Sequence, residues 1–184
     1  TRLLTPEKVE RLLEAASETE ARKLLTECGY AEALPLEEAL REHRETLYKE
    51  LAAAVPDPRL IELFQLKYDY HNIKAILKAE RRGISPEAFL LPGGRYDAAQ
   101  LQSDTARRAA QEAAALLREN DPQGADLRLD AACYDEMRTL AEEMKSNFLQ
   151  GYVRQLIDAA NLRTAVRAAR SGSSEVLPRA LLEG

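Results

Sequence analysis

The chain has 184 residues and a formal net charge of -5, a length that suits one or two domains. Ala and Leu number 30 and 29 against 5 Val, 5 Ile and 8 Thr, so helix formers crowd out the residues that suit a pleated sheet, which excludes a sandwich or barrel and disfavours an α/β sheet. Hydrophobic residues at 45% and charged residues at 31% exclude wholesale disorder, and the acidic balance argues against a nucleic-acid binder, whose affinity rests on phosphate contacts.

Thr5-Pro6 reads as an N-cap followed by proline at the first helical position, opening a helix to about residue 16. Ser17-Glu18-Thr19-Glu20 is a capping box for a second helix that ends near Cys28, with Gly29 as its stop. Leu36, Ala39, Leu40, Leu47, Leu51 and Ala54 recur at helical spacing and predict a third helix over 36–55, broken by Pro56-Asp57-Pro58. The fourth is long, 58–82, with Leu60, Leu63, Phe64, Ile73, Ile76 and Leu77 as its apolar stripe and Gly83 as its stop. A connector with Ser85-Pro86, Leu91-Pro92 and Gly93-Gly94 follows. Asp97 with Gln100 predicts a short capped helix, and Asp104 caps another that runs to about residue 119. Two more helices are expected over 127–144 and 147–170, before Gly172. No stretch approaches the roughly 20 apolar residues that span a bilayer, and no secretory signal pattern opens the chain. Cys28 and Cys133 lack neighbouring ligands at metal spacing and read as free thiols of a reducing compartment, with a single structural disulfide as the alternative.

Self-comparison finds a repeat. Asp69-Tyr70-His71-Asn72-Ile73-Lys74 aligns with Asp158-Ala159-Ala160-Asn161-Leu162-Arg163 at an offset of 89 residues. The register continues through Lys78/Arg167, Ala79/Ala168 and Arg81/Arg170, and Leu90-Leu91-Pro92-Gly93 resembles Leu181-Leu182-Glu183-Gly184. The expected division is a helical repeat over 1–92 and a second over 93–184. The period is too long for stacked solenoid units. The fold class is therefore all-α, as tandem helical subdomains related by pseudo-symmetry.

Asp and Asn compete with the backbone for hydrogen bonds inside a helix, so Asp69/Asn72 and Asp158/Asn161, each at i and i+3, need a reason. The preferred account is that they hydrogen-bond a neighbouring helix or loop and set its register. A carboxylate site for a proton or metal is the alternative, and it would want more converging ligands. Lys74, Lys78 and Arg81, matched by Arg163, Arg167 and Arg170, make a basic face. It is either a solvated helix end or a docking surface for an acidic partner. His43, among Arg41, Glu42, Arg44 and Glu45, reads as exposed, and His71 as an interface residue. Tyr68, Tyr70, Tyr134 and Tyr152 read as core or interface aromatics. Gly93-Gly94-Arg95 lacks the lysine of a P-loop, and no nucleophile elbow or histidine-based metal motif is present. No catalytic, metal or cofactor-binding residue is nominated.

The stretch Lys67-Tyr68-Asp69-Tyr70-His71-Asn72-Ile73-Lys74-Ala75-Ile76-Leu77 strongly resembles the C subunit (the d subunit in eukaryotes) of V-type/A-type rotary ATPases and ATP synthases. Leu156-Ile157-Asp158-Ala159-Ala160-Asn161-Leu162-Arg163 resembles the same family's next repeat, and residues 21–30, with Leu24-Leu25 and Gly29-Tyr30, its N-terminal region. The resemblance implies an all-helical, funnel-shaped protein of three similar domains and no cofactor. It implies a non-catalytic coupling part that links central stalk subunits to the membrane rotor ring and transmits torque in proton or sodium transport. It would lie peripherally at the cytoplasmic face, without a transmembrane segment and without binding nucleotide itself. A third repeat is then expected beyond residue 184, and an N-terminal portion before Thr1, so that the sequence reads as a fragment. The alternative is a cytosolic helical-repeat adaptor for protein–protein interaction. A helical-bundle enzyme is a third reading, for which no converging polar pocket can be assembled from these residues.

Overall fold

A computed structural model describes residues 4–30, 35–96, 103–172 and 177–183. Every regular element among them is helical. The short capped helix expected at Asp97 and Gln100 lies outside the described residues. The chain forms two compact units, Thr1–Pro56 and Asp57–Gly184.

The first unit holds α1 (Pro6–Leu13), α2 (Glu18–Glu27) and α3 (Leu36–Ala54). Thr5 caps α1 by accepting from the Lys8 amide at 3.4 Å, with Pro6 at the first position. α1 stops at Leu13 rather than near residue 16, because the next cap claims the chain. The Ser17 hydroxyl accepts from the Glu20 amide at 3.2 Å, and the Glu20 carboxylate accepts from the Ala16 amide at 3.0 Å. These bonds require a non-helical turn before Glu18. Gly29 leaves α2 with φ of +92°, a left-handed conformation that glycine adopts without steric cost. His43 is not an exposed helix residue: its ring stacks on Tyr30 with centroids 4.1 Å apart, and it is half-buried.

The second unit is built from α4 (Arg59–Arg82), a 3-10 turn (Glu87–Phe89), α5 (Asp104–Arg118), α6 (Pro122–Glu143), α7 (Asn147–Ser171) and the short α8 (Leu177–Ala180). α6 is central and packs against α4, α5 and α7. Ala106, Ala109, Ala110 and Ala113 form a small-residue stripe on α5 that lets it approach α6 closely. Around that seam Leu63, Leu66, Tyr70 and Ile73 of α4 meet Leu129, Met137 and Ala141 of α6 and Leu149, Val153 and Ile157 of α7. Each large apolar side chain taken fully from water stabilises the fold by roughly 1.5–3 kcal/mol.

Two helix starts differ from the sequence reading. Ser103, not Asp104, caps α5, its hydroxyl accepting from the Ala106 amide at 3.0 Å. α6 begins at Pro122 rather than near residue 127, because Asp121 is its cap, accepting from the Gly124 amide at 2.8 Å. Asn120-Asp121-Pro122 is thus a stop and a start at once, with Asn120 left-handed at φ 65°. The break between α6 and α7 falls at Lys145, also left-handed, with Ser146 capping α7 through the Leu149 amide.

Candidate functional site

Gln65, Asp69 and Asn72 are spaced four and three residues apart, so they line one side of α4. All three bind the connector that follows the helix. The Asn72 amide group donates to the Leu91 carbonyl at 2.9 Å, and its carbonyl accepts from the Leu91 amide at 2.8 Å. Gln65 donates to the carbonyls of Gly93 and Gly94. Asp69 accepts from the Arg95 amide at 2.9 Å and from the Arg95 guanidinium at 2.6 Å. Gly94 makes that approach possible, since a Cβ there would collide with the Asp69 carboxylate.

Arg95 carries the connector into the core. Its side chain is 8% exposed and bridges Asp69 to Glu136 of α6, the latter at 2.9 Å. Glu136 also accepts from the Tyr70 hydroxyl at 2.8 Å and from the Ser103 hydroxyl at 3.0 Å. One network therefore ties α4, the connector, the α5 cap and α6. Burial pushes the Asp69 carboxyl above its ordinary value, against the lowering effect of Arg95. Burial also works against the Arg95 charge, but the bonds and charges of Asp69 and Glu136 outweigh it and raise its pKa. Burial, then the Glu136 charge, raises the Tyr70 phenol as well. Such a fully paired network holds register more than it adds net stability.

The second motif is copied in part. Asn161 on α7 donates to the Leu182 carbonyl at 2.9 Å and accepts from the Leu182 amide at 2.8 Å, the same two bonds that Asn72 makes. Gly83 and Gly172, also 89 residues apart, end α4 and α7 in the same left-handed conformation, at φ 65° and 69°. Asp158 differs from Asp69: it is exposed and has no hydrogen-bonding partner among the described residues.

The basic rows also differ. Lys74 pairs with Asp130 at 2.6 Å, Lys78 with Asp126 at 2.7 Å, and Arg81 donates to Asn120. Among the described residues Arg163 donates to the Ala159 carbonyl of its own helix and its charge acts on the Tyr134 phenol of α6, while Arg167 and Arg170 have no partner. His71 is exposed, its Nε2 3.1 Å from the Phe89 carbonyl oxygen, which requires that nitrogen to carry the proton. A cavity of about 330 Å³ between α4, α6 and α7 is lined by Lys67, His71, Lys74, Tyr134 and Tyr152 among others. Its Lys74 is already neutralised by Asp130. Cys133 also lines it, and burial pushes that thiol up to about 12, so it is a poor nucleophile. Among the described residues no cluster of three metal-ligating side chains occurs, and no helix is long and apolar enough to cross a membrane.

Sequence reasoning did not find Gln65, Arg95 or Glu136. The polar spacing of residues 65, 69 and 72 along an apolar helix was a usable signal. The pairing of Asp69 with Glu136 through Arg95 joins residues far apart in the chain and left no local trace.

The sequence pattern of the family described as ATP synthase (C/AC39) subunit matches residues 1–184. The chain is also similar to the C subunit of the V-type sodium ATPase of Enterococcus hirae, at 24% identity over 140 residues. That match covers 70% of this chain and 43% of the relative, so the chain spans less than half the length of the curated relative it matches. No solved structure gives a match.

Proposed function

This chain belongs to the ATP synthase (C/AC39) subunit family, and on that premise we propose that it is a coupling part of a V-type/A-type ATPase without catalytic chemistry of its own. In this reading it joins the central stalk to the membrane rotor ring and transmits torque in proton or sodium transport. It sits peripherally at the cytoplasmic face and binds no nucleotide itself. The family match along the whole chain carries the proposal, and the matched relative's name as part of a sodium ATPase supports it. The two Asn clamps support a division into repeats over 1–92 and 93–184.

Torque transmission asks for parts that do not yield. The paired network around Arg95 and the Asn clamps supply that kind of rigidity, because each joins a helix to the chain that leaves it through several bonds at once. Asp69, Asn72 and Asn161 are accordingly read as register anchors rather than as ligands. The test is purification of the ATPase with and without the full-length protein. Loss of stalk attachment and of coupled ion pumping, with ATP hydrolysis by the head retained, is expected. Unaltered assembly and pumping would reject the proposal, and retention only by a soluble partner would favour an adaptor role.

A further inference from the structure

The cavity between α4, α6 and α7 has an apolar floor and a polar mouth. Tyr70, Cys133 and Met137 line it and are buried, whereas Lys67 and His71, one helical turn apart on α4, are exposed. Its volume of about 330 Å³ falls in the range of small-molecule sites. One wall is aromatic: the Tyr152 ring leans on Phe64 with centroids 5.5 Å apart and planes at 52°. The cavity's charge runs against that of the chain, which is -5. Asp130 is the carboxylate in its lining, and Lys74 holds it at 2.6 Å. Lys67 has no carboxylate partner among the described residues, and its ammonium lies 5.1 Å from the centre of the Tyr68 ring. The Arg163 charge reaches the Tyr134 phenol, where it works against the effect of burial. Neither the Tyr134 nor the Tyr152 hydroxyl has a hydrogen-bond partner among the described residues, so both are available to donate. An apolar floor, unspent donors and an uncompensated cation thus converge on one space.

We infer that this cavity binds a small aromatic carboxylate, its ring on the floor and its charge at Lys67 and the Tyr134 and Tyr152 hydroxyls. Burial of the ring supplies affinity, and the charged hydrogen bonds fix its orientation. Aromatic walls also suit a quaternary ammonium, but Lys67 and Lys74 repel one here. Inorganic phosphate has no apolar body for the floor to take from water. The walls come from three helices, so an occupant joins α4, α6 and α7 and binds the folded chain alone, which stabilises it. The inference is independent of the coupling role, so its failure leaves that role standing.

The probe is naphthoate, titrated into the 184-residue chain and followed by its fluorescence and by the NMR signals of the tyrosine rings. Saturable binding with a Kd below about 1 mM is expected, together with a higher melting temperature and shifts at Tyr134 and Tyr152. Naphthylmethanol, of the same shape but uncharged, should bind roughly fivefold or more weakly, and naphthylmethylammonium more weakly still. Lys67→Glu should weaken naphthoate by about tenfold and strengthen the ammonium. It should leave the melting temperature of the free chain unchanged, because Lys67 is exposed. The double substitution Tyr134→Phe/Tyr152→Phe should weaken naphthoate by roughly fivefold. The inference is overturned if naphthoate at about 1 mM does not bind, or if the shifts centre away from these three helices. Equal affinity for naphthoate and the alcohol, unmoved by Lys67→Glu, would overturn it too. So would tighter binding of the ammonium to the unaltered chain, since the walls would then be a cation site.

Discussion

Asn72 and Asn161 make the same two bonds, but Asn72 is 5% exposed and Asn161 half-buried. Asn72→Ala strands both backbone groups of Leu91 and is expected to cost about 1–3 kcal/mol. Asn161→Ala should cost less, because water can reach the freed groups, and paired thermal melts check the order. The aspartates separate further. Asp69→Ala leaves Arg95 buried with half its partners and is expected to cost about 3–5 kcal/mol, whereas Asp158→Ala should stay within about 0.5 kcal/mol. Equal losses in denaturant titrations would contradict the unequal geometry. Cys133 gives a pH dependence. Its folded pKa is raised from 9.0 to about 12 by burial first and the nearby carboxylates second. The unfolded chain therefore loses that proton first, and stability present below about pH 9 drains away as pH rises toward 12. The raised Tyr70 phenol acts in the same sense. Urea midpoints should hold steady up to about pH 9 and fall above it, and Cys133→Ala should reduce the fall.

The helices owe their ends to short-range chemistry, and α4, the α5 cap and α6 are tied to one another through the connector after α4. Residues 91–95 are held there by Gln65, Asp69 and Asn72 along one side of the helix. Gly94→Ala tests this at the element scale. Glycine is needed there for the close approach, because the added methyl would press on the Asp69 carboxylate, which Arg95 prevents from turning away. A loss of about 1–3 kcal/mol is expected, with faster amide exchange at Leu91 and Arg95. Unchanged exchange at those amides would show that the connector is held by other means. The legible part of these elements was local. Thr5-Pro6, Ser17 to Glu20, Gly29, Gly83 and Gly172 announced their ends, since a cap or a left-handed glycine acts within a few residues. The start of α6 was misread because Pro122 can close one helix and open the next, and only the Asp121 bond to Gly124 distinguishes the two.

At the scale of the whole chain the two compact units differ in how much they bury. Among the described residues Cys28 and Ala39 are the buried apolar residues of the first unit, while the second holds a continuous core from Leu63 to Ile157. A unit of that size with so little taken from water is marginal by itself. The segment 57–184 alone is expected to keep its helicity and a cooperative melt, and 1–56 alone to be largely unfolded, by circular dichroism. A cooperative transition in 1–56 would mean that its stability comes from elsewhere than these buried side chains.

The sequence by itself determined the helical class, most helix ends, the 89-residue repeat and the resemblance to part of a rotary ATPase. All of these rest on patterns within a helix or on the comparison of two stretches. Only the tertiary structure decided what the repeated residues do. Asn72 and Asn161 act alike because each meets its own connector, 19 and 21 residues on. Asp69 and Asp158, or Lys74 and Arg163, differ because their partners come from other elements: Arg95 lies 26 residues from Asp69, and Asp130 lies 56 from Lys74. A shared local pattern gives the same local geometry at the Asn clamps, but burial and charge pairing belong to whatever packs alongside. For α4 that neighbour is α6, and the matching face of α7 stands open among the described residues.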